Sequence, residues 1–223
     1  MCQISPISRG KAMRFSLGFF LASLLLFSGD LRASLEIEKK APDTFQKAVF
    51  AAGCFWCIVP PFDKTKGVIN TQVGYTGGTK ENATYPRVSS GKTKHIEAIQ
   101  VTFDPSVVSF EELLDIFWVN VDPFDGKGQF CDKGRQYISA IFFHNPDQKK
   151  AAQTSVNKVL KKLNLKKPEL IQTQIQSFST FFPAEAKHQD YYKRHPFKYK
   201  FYRSRCGRDA RLKDIWTPKA RSK

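Results

Sequence analysis

Acidic residues are scarce in this chain: 20 Asp and Glu stand against 36 Lys and Arg in 223 residues, a formal charge of +16. Such a balance suits nucleic acid, an anionic surface, or plain solubility. The basic residues follow no helix-turn-helix, zinc-finger or RNP spacing, so no nucleic-acid partner is expected. A second Cys-x-x-Cys is also missing, which leaves Cys54 and Cys57 as half a zinc site with the other potential ligands scattered. No metal is expected. No internal repeat occurs, and no apolar run reaches the roughly 20 residues of a membrane-spanning helix.

The longest apolar run, Phe15 to Phe27, lies behind Arg14 and ahead of Leu31-Arg32-Ala33. That order reads as a signal peptide over 1–33, removed after Ala33. No cysteine follows the run, so no lipid attachment is expected. Export to a bacterial periplasm is the expectation, with a retained N-terminal membrane anchor or a cytoplasmic enzyme as alternatives. Residues 34–46 read as a linker, and 198–223 as a basic tail with a solvated surface. What remains is enough for one domain with its own core.

Cys2 falls in the discarded segment, leaving Cys54, Cys57, Cys131 and Cys206, and all three of their pairings open. Ala48 to Ala52 reads as a buried strand ending at Gly53. If a helix starts beyond it, Cys54 sits at its N-terminus, where free N–H groups and the helix dipole favour a thiolate. Phe55 and Trp56 place apolar surface beside that sulfur. Cys57 follows three residues later, on the same face of such a helix. A packed structural cysteine is the plainer alternative.

Pro60 and Pro61 argue against one continuous helix after Cys54; a turn, a break and a second turn ending at Gly67 are expected. Val68 to Tyr75 reads as a strand, and 79–94 as a long loop. His95 to Phe103 alternates, with Glu97 on the same face as Ile99, Val101 and Phe103. A carboxyl held among apolar side chains has a raised pKa and can serve as a general acid; an edge strand with Glu97 in solvent is the alternative. Ser109 to Glu112 is a capping box opening a helix. Residues 122–132 read as a loop, 136–143 as a strand, and Asn145-Pro146 as a helix start. A strand at 170–175 and a helix at 184–192 complete the order. This mixed sequence of elements favours a two-layer α/β or α+β sandwich.

Five blocks then stand in one order: Gly53-Cys54-Phe55-Trp56, Gly74-Tyr75-Thr76-Gly77-Gly78, Thr84-Tyr85, His95-Ile96-Glu97 and Asp132-Lys133-Gly134-Arg135-Gln136-Tyr137. In these the chain resembles the A-type peptide methionine sulfoxide reductases, over about residues 47–197. The resemblance implies a ferredoxin-like α+β core with a mixed sheet and reduction of methionine S-sulfoxide. Cys54 falls on the nucleophile, and Phe55 and Trp56 on the aromatics that hold the substrate's S-methyl group. Tyr85, Glu97 and Tyr137 fall on the groups that bind and protonate the sulfoxide oxygen. Asp132 falls on a supporting acid, and His95 is a support. It implies no cofactor, a thioredoxin-like dithiol as reductant, and a monomer.

The second thiol is less defined, because the glycine-rich tail in which many relatives carry resolving cysteines is reduced here to Cys206-Gly207. Cys57 is the first candidate, Cys206 the next and Cys131 the third. A thioredoxin-like exchanger using only Cys54 and Cys57 is the competing enzyme. A basic domain that docks on anionic surfaces through 198–223 is the non-enzymatic alternative.

Overall fold

The computed structural model describes residues 45–217; the expected signal segment and the linker up to residue 44 lie outside them. Strand β1 (Gln46–Ala52) is buried from Ala48 onward. Gly53 turns the chain at φ +77, and a Cβ there would sit 2.6 Å from Cβ of Gln129, so only glycine fits. Helix α1 (Phe55–Asp63) follows, then β2 (Val68–Thr76), the short α2 (Tyr85–Ser89) and β3 (Ile96–Phe103). Next come α3 (Phe110–Trp118), a small hairpin of β4 (Gly128–Gln129) and β5 (Asp132–Lys133), β6 (Ser139–Phe143) and α4 (Pro146–Lys162). The chain continues through β7 (Gln174–Ser177), β8 (Phe181–Pro183), α5 (Tyr191–Arg194), α6 (Pro196–Arg205) and α7 (Arg208–Trp216).

The main sheet runs β7-β6-β1-β3-β2-β8. All neighbours are antiparallel except β6 and β7. The path β1–α1–β2 skips over β3, and the path from β3 through α3 to β6 skips over β1. Two interlocked split β-α-β units of this kind make the ferredoxin-like, mixed-sheet plan. Ala48, Phe50 and Ala52 of β1 enter the core under α1 and α3, while Val49 and Ala51 face a smaller cluster covered by Phe178 and Phe181. Burial on both faces explains why β1 reads as an unbroken apolar run. Among the described residues no helix is long and apolar enough to cross a membrane.

Several local expectations change: the segment 79–94 is no plain loop but holds a 3₁₀ turn and α2, and the strand expected at 170–175 forms only as β7. Pro60 and Pro61 do not break α1. Pro61 has no N–H for the Cys57 carbonyl four residues back, and Nη1 of Arg203, from α6, donates to that carbonyl at 3.1 Å. Residues 184–192 form a 3₁₀ turn (Ala186–His188) and the start of α5 instead of one helix, pinned by Gln189, whose side chain bonds the N–H and C=O of Val73 at 3.0 and 2.8 Å. The segment from 198 is no loose tail: α6 and α7 fold against the domain. Leu212 is buried, the indole of Trp216 donates to the Val121 carbonyl at 3.0 Å, and Arg211 pairs with Asp122 at 2.7 Å. The capping box at Ser109 and Glu112 and the Asn145 cap form as expected.

Candidate active site

Cys54 is the N-cap of α1 and Cys57 lies one turn in, its N–H donating to the Cys54 carbonyl at 3.0 Å. Both are free thiols and both are buried, at 6% and 1% exposure. The two sulfurs share a hydrogen bond. They therefore titrate as a unit. The Cys57 thiol is pushed down to about 7, chiefly because Cys54 donates to its sulfur, with further help from Arg208 and Arg203. Burial, and then the neighbouring Cys57, hold the Cys54 proton well above the ordinary thiol range.

Glu97 sits on β3 between β1 and β2, opposite Tyr75 in register. It is 1% exposed, so the solvent-facing alternative falls. Its Oε2 accepts the N–H of Phe55 at 3.1 Å. Burial raises its pKa to about 8, against the opposing pull of that hydrogen bond. Asp132, on β5, takes the backbone N–H of Cys54, and burial raises its pKa as well. The first amides of α1 are thus engaged by two carboxyl groups and are not free for a thiolate. The charged sulfur draws its support from its thiol neighbour and from arginines.

Tyr85 and Tyr137 lie close enough that the charges of Glu97, Asp132 and Cys54 all act on them. Burial, first, pushes Tyr85 up to about 12 and Tyr137 upward too, so both phenols stay protonated and able to donate. Tyr85 is placed by Glu185, which accepts its N–H at 2.9 Å and the hydroxyl of Tyr75 at 2.9 Å. Trp56 stacks on Tyr191, ring centroids 3.8 Å apart, whereas Phe55 turns inward against Tyr75 and His188. His95 is buried beneath Gly78, where a Cβ would meet its ring at 2.5 Å, and its Nε2 bonds the Thr79 carbonyl at 2.9 Å. It steadies the turn and does not touch the thiols.

Four participants escaped sequence reasoning. Tyr202, on α6, donates to Asp132 at 2.5 Å. Arg203 braces α1, as described. Arg208, at the start of α7, is fully buried. His188 lies against Tyr85, Phe55 and Trp56. Cys131 and Cys206 form a disulfide that joins the β4–β5 hairpin to the end of α6. Those two cysteines with Asp132 are the one cluster of metal-ligand type among the described residues, and its sulfurs are bonded to each other.

A pair of contacting thiols beside a buried carboxylic acid defines a thiol-dependent oxidoreductase. Which one is settled by comparison: the chain belongs to the peptide methionine sulfoxide reductase family, whose model matches residues 46–220. The match takes in α6 and α7. Peptide methionine sulfoxide reductase MsrA of Bacillus licheniformis is 47% identical over 169 residues, covering 76% of this chain and 92% of that protein. The MsrA of Halalkalibacterium halodurans is 44% identical over 171 residues, 77% of this chain and 96% of that protein. Among solved structures, Mxr1 of Saccharomyces cerevisiae in reduced form superposes with TM-score 0.64 at 29% identity, covering 70% of this chain and 88% of that one. Methionine sulfoxide reductase A of Corynebacterium diphtheriae gives 0.63 at 32%, covering 69% and 76%.

The Glu97 shift makes a stability prediction. Its folded pKa, about 8, lies above the ordinary 4.5, so the unfolded chain ionises first as pH rises. Wild type should lose stability relative to Glu97→Gln across that window, by up to about 1.4 kcal/mol per pH unit, and the difference should level off above it. Urea unfolding of both proteins across that range is the check; parallel curves would contradict a protonated Glu97.

Proposed function

We propose that this methionine sulfoxide reductase acts on the S epimer of methionine sulfoxide, free and in oxidised proteins, with Cys54 as nucleophile and Glu97 as the acid. The observation that carries the assignment is the buried, protonated Glu97 bonded to the amide next to Cys54. Moving one proton along the Cys54–Cys57 hydrogen bond turns Cys54 into the thiolate. That thiolate attacks the sulfoxide sulfur while Glu97 protonates the oxygen, with Tyr85 and Tyr137 donating to it. The hydroxyl formed then passes from the substrate sulfur to the Cys54 sulfur. The substrate's sulfur–oxygen bond and the transient sulfur–sulfur bond both break, methionine leaves, and Cys54 is left as a sulfenic acid. Trp56 offers its ring to the S-methyl group, and Phe55 backs it from the core.

Cys57 resolves the sulfenic acid: its thiol displaces water and leaves a Cys54–Cys57 disulfide. Its contact with Cys54 supports this order, as does the engagement of Cys206 with Cys131. An external thioredoxin-like dithiol then restores both thiols, and no cofactor is needed. Export, read from residues 1–33, would make that reductant a periplasmic or membrane-relayed dithiol.

Three measurements test this. With dithiothreitol as reductant, Glu97→Gln should lose on the order of 10²–10⁴-fold in sulfoxide turnover; full retention would overturn Glu97 as the acid. Mass spectrometry after a single turnover without reductant should find Cys54 linked to Cys57, and a Cys54–Cys206 link would overturn Cys57 as resolver. The mature protein isolated from its native cell should begin at Ser34, whereas an intact Met1 or Met13 would refute export.

A further inference from the structure

Arg208 is the largest fully buried side chain in the described protein, 1% exposed. It begins α7, directly after Cys206 and Gly207, the latter in the left-handed region at φ +69. Its Nη2 donates to the carbonyls of Ala52 and Asn120 at 3.1 and 2.8 Å, and its plane lies over the Phe130 ring at 4.4 Å. Nε and Nη1 have no hydrogen-bond partner, and among the described residues no carboxylate comes within ion-pair distance. A guanidinium does not shed its proton, so a cation sits in the interior without a conventional counter-ion.

Its location suggests what balances it. The Ala52 carbonyl lies two residues before Cys54, and Nη1 lies 3.8 Å from the position a Cβ on Gly53 would take. The site's other ionisable groups are already committed. Glu97 is neutral and bonded to Phe55, Asp132 is held by Tyr202 and the Cys54 amide, and Arg203 is paired with Asp209. Tyr85, Tyr137, Tyr199 and Tyr202 stay protonated, and His188 is held neutral by burial. Asp132 feels the Arg208 charge too, but the anionic groups that act most on Arg208 are the sulfurs of Cys57 and Cys54.

We propose that Arg208 is a positioning residue that supplies the fixed positive counter-charge of the Cys54–Cys57 thiolate, reaching it from beneath the β1–α1 turn. It touches neither substrate nor sulfoxide oxygen and acts through the sulfurs. The Cys131–Cys206 disulfide secures the segment that delivers it. The proposal rests on Cys54 and Cys57 being the reacting thiols, but its test reads the thiols themselves and stands apart from sulfoxide turnover.

Thiolate absorbance followed against pH, with Cys54 and Cys57 free, should show the pair's first ionisation moving upward in Arg208→Gln. The expected shift is about one unit, a tenfold change in the ionisation constant. Arg208→Lys should shift it less, because the charge stays while the fork geometry is lost. Arg205→Gln, which removes the same charge from an exposed position on α6, should leave it in place. An unmoved titration in folded Arg208→Gln overturns the proposal. Should that variant fail to fold, wild type decides: a first ionisation of the pair at the ordinary thiol pKa would mean that no counter-charge acts on it, and overturns the proposal.

Discussion

One hydrogen bond ties the helix of the thiols to the sheet: the N–H of Phe55 given to the carboxyl of Glu97. It joins the first turn of α1, which carries both thiols, to the middle of the central strand β3. A carboxyl in that position is cut off from water by the sheet and the helix together, so it keeps its proton near neutral pH. The same bond fixes its distance from Cys54. Strand register, the left-handed turn at Gly53 and the packing of Phe55 against Tyr75 all maintain that one contact.

The C-terminal helices are part of the site. Pro60 and Pro61 give α1 a rigid body but leave the Cys57 carbonyl without its helical partner, and Arg203 fills the gap from α6. Tyr202 orients Asp132, which in turn holds the Cys54 amide. Arg208 reaches under the loop between β1 and α1. The Arg203 and Arg208 contacts each span well over a hundred residues, Tyr202 joins α6 to the β4–β5 hairpin, and the Cys131–Cys206 disulfide closes the same circuit.

Local rules found the parts of the fold that local physics decides. β1, the alternation of β3, the capping box at Ser109 and the Asn145 cap were all legible, because each is set by residues within one or two turns. Glu97 was legible too, since its strand neighbours declare the face it occupies. The continuity of α1 was not, because it depends on Arg203 far along the chain. β8 was missed because three residues pairing with the end of β2 leave no period to detect. Burial of Arg208 runs against its residue type, and nothing in its neighbours signals it. The excess of basic residues at the C-terminus reads as solvated surface, and for the most part it is; the exceptions are the ones that matter to the thiols.

The electrostatics of the site amount to an inverted order of ionisation. In water a carboxylic acid gives up its proton several pH units before a thiol does. Here burial lifts Glu97 to about 8, while a shared proton and two arginines bring the Cys57 thiol down to about 7. Near neutrality the fold can therefore hold a protonated carboxyl and a thiolate at once. A sulfoxide needs both in the same step, a nucleophile for its sulfur and a proton for its oxygen, and neither group would be in that state if the other's surroundings were its own. Arg208 and Arg203 act on the thiol and burial acts on the carboxyl, and that difference keeps the two apart.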